Sequence, residues 1–224
     1  MTAIPAQRGP GRPPLPTERI IDTAIRIVDE EGAAALTFRT LAARLSSGTA
    51  TLYRHVANRT ELLNLVFDGM IGEAALDGDD LMALPWDGAC RLSAGKLYAV
   101  LSRHGGIAAL LADVVPTGRH ALTARERLLA VLHAAGFDPL VAVRTVATLG
   151  HYVLGFAMQT SAATAEPETV GLTGIDPELF PQTASHSHLM PRPILEEFEF
   201  GLDLLIQGLH SHLPRPEVSP ALTD

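Results

Sequence analysis

Residues 36–63, LTFRTLAARLSSGTATLYRHVANRTELL, decide how this chain is read. Their spacing predicts a short helix, a tight turn, a second short helix and the start of a third. Thr37 is placed to cap a helix whose inward residues are Phe38, Leu41, Ala42 and Leu45, at i, i+3, i+4 and i+7. Ser46-Ser47-Gly48 stops that helix, and Gly48 is expected to supply the tight turn. The second helix is expected over about Thr49–His55. Leu52 and Val56 face inward, leaving Thr49, Ala50, Thr51, Tyr53, Arg54 and His55 outward. Asn58-Arg59-Thr60-Glu61 reads as a cap with an acid three residues on, opening a longer helix with Leu62, Leu63, Val66, Phe67 and Met70 on its apolar side.

Charge gives this segment a direction. Leu36 to Thr60 carries Arg39, Arg44, Arg54 and Arg59 and no acidic residue, in a chain of formal net charge −8. Residues 1–66 hold eight Arg against six Asp and Glu, a net of +2. Residues 67–224 hold nine Arg and Lys against 19 Asp and Glu, a net of −10. An acidic body repels nucleic acid, so contact with DNA must come from the N-terminal unit. A basic helix pair with polar residues and an aromatic on its second helix has what reading a major groove requires.

These residues resemble the DNA-binding signature of the TetR family of one-component transcriptional regulators, and TLYRHVANRTELL (51–63) is the specific part. Members of that family usually have glycine and then an apolar residue where this chain has Ser46 and Ser47, a change that should loosen the turn. Residue by residue, the resemblance implies the DNA contacts. Arg39 forks onto guanine edges, and Ala50 and Thr51 meet a thymine methyl. Thr49 and Arg54 reach base edges or the adjacent backbone. Tyr53 and His55 hold phosphate at the groove wall, and Arg59 meets phosphate beside a helix N-terminus. For Tyr53 the competing reading is partial burial against the first helix of the unit.

The rest of the chain reads as helices, with neither strand alternation nor an internal repeat. The expected fold is all-α: an N-terminal three-helix helix-turn-helix domain over 17–66 and a C-terminal helical ligand-binding and dimerisation domain over 67–213. A basic arm precedes them at 1–16, and 214–224 is a tail. In the arm, five prolines and two glycines predict disorder. Arg8 and Arg12 there suit either a minor groove or plain solvation. Thr17 is the expected cap of the first helix, Ile21, Ala24, Ile25 and Val28 its stripe, and Gly32 its end. A helix from Asn58 to about Leu76 joins the two parts. Further helices are expected over about 86–104, 107–112, 119–135, 138–160 and 193–212, with a long loop over 164–192. Leu92, Leu97, Val100 and Leu101 should face inward on the first of these.

Two of these helices are apolar on more than one face. In ILEEFEFGLDLLIQGL (194–209), Ile194, Phe198, Leu202, Leu205 and Leu209 make one stripe, and Phe200, Leu204 and Ile206 add others. Such a helix is buried on two sides, either in a larger monomeric core or against a partner subunit. Gly150, Gly155, Gly201 and Gly208 each weaken a helix by about 1 kcal/mol, which close helix–helix approach would justify. This helix and GHYVLGF (150–156) are similar to the dimer-forming C-terminal domain of the tetracycline-repressor subgroup, which implies a homodimer.

Other classes fit poorly. No run approaches 18 consecutive apolar residues, and 1–16 lacks an apolar core of secretory length, so no membrane role is expected. The single cysteine, Cys90, excludes an intramolecular disulfide and a cysteine-based zinc site, and suggests a reducing, cytoplasmic setting. His186 with His188, and His210 with His212, are spaced i, i+2, a poor geometry for one metal. Asp113, Arg119 and His120 are accompanied by no nucleophile motif, HExxH pattern or phosphate loop. Neither an enzyme nor a resident cofactor or metal is expected.

Within the resemblance, tetracycline-responsive members hold a magnesium-bound drug with a histidine and a glutamate. Alignment of GGIAALLADVVPTG and GHYVLGFAMQ puts Leu111 and Gln159 at those positions, which disfavours that ligand. A more apolar pocket is expected instead, with Leu97, Leu101, Leu111, Val115, Leu132, His151, Leu154, Phe156 and Met158 as its candidate lining. His151 is read either as a satisfied core histidine or as a polar group facing that cavity. The resulting expectation is a repressor released from a palindromic double-stranded DNA operator by a small hydrophobic molecule. The alternative is a small-molecule-binding or interaction protein of the same fold that does not bind DNA.

Overall fold

The computed structural model describes residues 15–76, 78–162 and 174–214. Among them the regular elements are all helical. Arg8 and Arg12, most of the 1–16 arm and most of the tail lie outside the described residues, as does part of the 164–192 stretch.

α1 (Thr17–Glu31) buries Ile20, Thr23, Ala24, Ile25, Ile27 and Val28. Its cap position is Pro16, and no side chain caps it, so Thr17 is the first helical residue rather than the cap. Gly32 ends it at φ 84, with its N–H on the Val28 carbonyl at 2.9 Å. A 3-10 turn, Ala33–Ala35, leads to α2 (Phe38–Arg44), where Thr37 Oγ1 accepts from the Thr40 N–H at 3.1 Å.

The turn after α2 differs from expectation. Gly48 has an ordinary extended backbone, φ −81 and ψ 149, and the left-handed residue is Ser46 at φ 49. Ser46 N–H reaches the Ala43 carbonyl at 3.0 Å and Ser47 N–H the Ala42 carbonyl at 2.9 Å. This is the paired hydrogen-bond pattern of a helix end that favours glycine in the left-handed place and an apolar side chain after it. Here both places hold serine. α3 (Thr49–Leu52) is one helical turn, shorter than expected, continuing as turns to His55. Leu52 and Val56 are buried as the pattern required.

α4 (Arg59–Glu73) starts at a well-made cap. Asn58 Oδ1 accepts from the Glu61 N–H at 2.9 Å, and the Glu61 carboxylate turns back onto the Ala57 N–H. Leu62, Leu63, Val66, Phe67, Met70 and Ile71 are all buried, so α4 is covered on several sides. It packs on α1 behind it and on three helices ahead: α5 (Trp86–Leu101), α6 (Gly105–Leu111) and α7 (Arg119–Ala134).

α8 (Pro139–Ala162) runs through the C-terminal half and packs on α5, α6, α7 and α10 (Ile194–Leu209). Asp138 Oδ1 caps it, accepting from the Leu140 N–H at 2.9 Å. The stretch Pro139–Thr160 is long and apolar enough to cross a bilayer by length and composition, and 28% of it is buried. Its exposed side mixes Leu140, Val143 and Met158 with Arg144, Thr148, His151 and Gln159. Within 164–192, which the sequence suggests is loop, α9 (Pro181–His186) and a 3-10 turn, Ser187–Leu189, are formed.

On α10 the core-facing stripe is Phe198, Leu202 and Ile206, which rotates the expected stripe toward Ile206; Ile194, Leu205 and Leu209 are half-buried. Phe198 stacks on Tyr98 at 4.2 Å between ring centres and packs with Tyr152 and Phe156. Tyr152 Oη donates to the Phe198 carbonyl at 2.6 Å, and a Cβ on Gly201 would lie 2.3 Å from Tyr152 Oη. Gly201 therefore serves close approach within the subunit. A Cβ on Gly150, Gly155 or Gly208 meets nothing, so approach inside one subunit does not account for those three.

Candidate functional site

Two sites emerge at opposite ends of α4. The first is the surface of α2 and α3. Arg39, Thr49, Ala50, Tyr53, Arg54 and His55 are exposed and Thr51 is half-buried. The α2–α3 packing, with Leu41, Leu45 and Leu52 at 0–1% exposure, fixes the two short helices against each other. Tyr53 stacks face to face on Phe38 at 4.7 Å while remaining 56% exposed. The ring thus rests on α2 while the residue stays largely open to solvent.

The four arginines are not equivalent. Arg44 pairs with Glu30 at 2.7 Å and with Glu31, both at the end of α1, so its charge is spent within the fold; these carboxylates hold its pKa above the ordinary value. Arg59 Nη1 donates to the Leu36 carbonyl at 2.5 Å, tying the start of α4 to the segment before α2. Arg54 Nη2 reaches Thr51 Oγ1 at 3.3 Å. Arg39 makes no hydrogen bond or ion pair among the described residues, and its guanidinium is free for a partner.

The second site is a cavity of about 350 Å³ between α4, α5, α7 and α8. Phe67 and Ile71 of α4 form one wall, and Ala121, Ala124, Arg125 and Leu128 of α7 another. Of the residues expected there, Leu97, Val115, His151 and Leu154 line it. The other five do not. Leu101, Leu111 and Leu132 are fully buried in the core, because their faces of α5, α6 and α7 point into helix contacts. Phe156 packs into the aromatic cluster around Phe198, and Met158 is exposed on α8. Leu111 and Gln159 both lie away from the cavity. The missed wall of α7 was readable: Ala121, Ala124, Arg125 and Leu128 are spaced i, i+3, i+4 and i+7.

α4 is tied closely to the α7 wall of the cavity. Asp68 of α4 accepts from the Ala121 N–H at 2.9 Å and so caps α7 from outside it. Gly118 allows this contact, since a Cβ there would lie 2.1 Å from the Asp68 carboxyl carbon. Gly72 likewise leaves room for the His120 ring, about 3.1 Å from where a Cβ would be. Among the described residues no three His, Cys, Asp or Glu side chains gather as a metal site. His186 Nδ1 bonds the Gln182 carbonyl at 2.7 Å, and His210 packs edge-on to Trp86.

A helix-turn-helix with an exposed polar face, joined by one helix to a largely apolar cavity, defines a ligand-responsive DNA-binding regulator. Comparison with known proteins agrees. Residues 20–66 match the family described as bacterial regulatory proteins, tetR family, and residues 85–213 match the tetracyclin repressor-like C-terminal domain. The chain belongs to the TetR family, and it is a ligand-responsive, DNA-binding transcriptional regulator. It is 28% identical over 219 residues to the HTH-type transcriptional repressor DrrR1 of Streptomyces coeruleorubidus, covering 90% of this chain and 81% of that protein. It is 27% identical over 207 residues to the class E tetracycline repressor of Escherichia coli, covering 92% and 96%. The fold matches the Streptomyces coelicolor TetR family protein ActR in complex with actinorhodin, with a TM-score of 0.76, 28% identity and coverage of 91% and 99%.

Proposed function

We propose that this protein is a homodimeric repressor that binds a pseudo-palindromic DNA operator and leaves it when an apolar small molecule enters the cavity. The observation that carries this reading is α4. Its first turn is anchored to the helix-turn-helix through Arg59 and Leu36, and its last turns supply Phe67 and Ile71 to the cavity wall. An inducer must bind the form that does not hold DNA more tightly than the form that does. A ligand pressing on Phe67 and Ile71 tilts α4 and moves the DNA-reading helices with it.

Two such helices in a dimer must sit about 34–36 Å apart to enter successive major grooves. The surface for pairing is the outer side of α8 and α10, where Leu140, Phe200 and Leu204 are each more than half exposed and Gly155 and Gly208 have open space over them. Homologues of this chain are transcriptional regulators, and this reading assigns it no turnover: the ligand returns unchanged. It acts in the cytoplasm, with the DNA.

Arg39 is assigned to a base edge, with Thr49, Ala50, Thr51 and Arg54 beside it, and Tyr53 and His55 to phosphate. Arg59 holds the Leu36 carbonyl and presents its remaining N–H groups to phosphate. The test is Arg39→Ala and Arg59→Ala against a selected operator and random DNA. Losing Arg39 should cost about 1–3 kcal/mol on the operator and relax one base pair. Losing Arg59 should weaken both DNAs alike and flatten the salt dependence. Equal loss on both DNAs after Arg39→Ala removes the base contact. Operator binding by the double variant at wild-type strength ends the DNA-reading assignment.

A further inference from the structure

The polar chemistry of the cavity is one-sided. Among the described residues, Ser93, Arg125 and His151 are the hydrogen-bonding side chains in its wall, and no carboxylate lines it. Arg125 is half-buried, and its Nη2 donates to the Pro116 carbonyl at 3.1 Å. Pro116 is also part of the wall, so this bond holds the guanidinium at the cavity. A guanidinium has five N–H donors, and one carbonyl leaves most of them unused. Three other arginines beyond α4 are neutralised: Arg91 by Asp203, Arg103 by Glu73 and Arg192 by Glu196. Arg125 has no carboxylate partner among the described residues.

Each class of occupant meets this wall differently. A cationic ligand brings like charge against Arg125 with no lining carboxylate among the described residues to offset it. A neutral hydrocarbon covers the guanidinium and strips its water without replacing the lost hydrogen bonds. An apolar frame bearing one carboxylate or ionised phenol fills the aliphatic walls and gives the free N–H groups a charge-assisted acceptor. The acidic surface of residues 67–224 does not reverse this preference. Its field is screened beyond about 8 Å at physiological ionic strength, so it slows entry more than it weakens the contact.

We propose that the ligand of this cavity is an apolar organic acid bound as its anion, with Arg125 as the residue that selects for the charge. The proposal rests on the cavity being the effector site, and it adds the ligand's charge and chemical class. The test is calorimetric titration of the full chain with three probes of one frame: naphthoate, its neutral methyl ester, and cationic naphthylmethylamine. Naphthoate should bind at least about tenfold more tightly than either of the others, as expected for a charged against a neutral hydrogen bond. Arg125→Gln should erase that preference, and Arg125→Lys should keep part of it, with melting temperatures confirming that both variants fold. Equal or tighter binding of the ester or amine overturns the proposal, as does a preference that survives Arg125→Gln, or no naphthoate binding at all. Ala124→Phe, which fills the cavity from α7, separates the two levels of the argument. Undiminished binding of every probe to that variant removes the cavity as the ligand site, whatever charge is preferred.

Discussion

Ser46 is a place where sequence and backbone disagree, and replacing it with glycine measures the disagreement. Its φ of 49 is left-handed, where an L-residue costs about 1–2 kcal/mol relative to an ordinary conformation. Glycine removes that cost but gives the unfolded chain more freedom, which takes back about 0.5–1 kcal/mol. No hydrogen bond of the Ser46 hydroxyl is formed among the described residues, so no side-chain bond is lost. The backbone bonds from Ser46 to Ala43 and from Ser47 to Ala42 are kept. The net expectation for Ser46→Gly is a gain of about 0.5–1 kcal/mol, or about 1–4 °C in Tm for a chain of this length. Ser46→Val should lose more than about 1 kcal/mol, because a β-branched side chain is poorly accommodated there. Urea unfolding at fixed protein concentration, followed by circular dichroism, gives the midpoints; the concentration is fixed because the proposed dimerisation would contribute to apparent stability. Amide exchange at Ser46 and Ser47 localises the effect. A lower midpoint for Ser46→Gly with an unchanged urea slope would refute the strain argument.

Two further outcomes are expected. Asp68→Ala removes the external cap from Ala121 and should cost about 1 kcal/mol, read as a lower urea midpoint; Asp68→Asn, which keeps an acceptor, should cost less. If the cap also carries the signal, Asp68→Ala will still show ligand-raised Tm but weaker ligand-driven release of DNA, and wild-type release would assign Asp68 to stability alone. Cys90 is fully buried, and burial together with the nearby Asp87 carboxylate pushes its thiol up to about 12. A raised thiol pKa means the thiolate forms only at very high pH, so at pH 8 the native protein should not react with dithionitrobenzoate, whereas unfolding in guanidinium should release one reactive thiol per chain. Rapid reaction of the native protein at pH 8 would contradict the burial of Cys90.

The helix pair of 36–63 was legible because its signals are local. Leu41, Leu45, Leu52 and Val56 declare an inward face by spacing alone, and Thr37 and Asn58 cap their helices where their side chains predict. The outward residues Thr49, Ala50, Tyr53, Arg54 and His55 followed from the same periodicity, with Thr51 half-buried, while Arg39 was picked out by the family resemblance. Backbone detail followed less well: glycine is the usual left-handed residue, so Gly48 was the natural expectation, yet the geometry of the helix end put Ser46 in that place.

Tertiary structure alone decided which side chains face the cavity and which charges are free. A cavity wall depends on how four helices rotate about their axes, and an apolar residue on any of them looks the same in sequence whether it meets a neighbour or open space. That is why Leu101, Leu111 and Leu132 went to the core while Phe67, Ile71 and Leu128 became lining. The arginines divided for the same reason. Arg44 found Glu30 and Glu31 across 13 to 14 residues, Arg59 found the Leu36 carbonyl across 23, and Arg39 and Arg125 were left without carboxylate partners. Periodicity along one helix fixes a direction in space, and only the packing of helices fixes what lies in that direction.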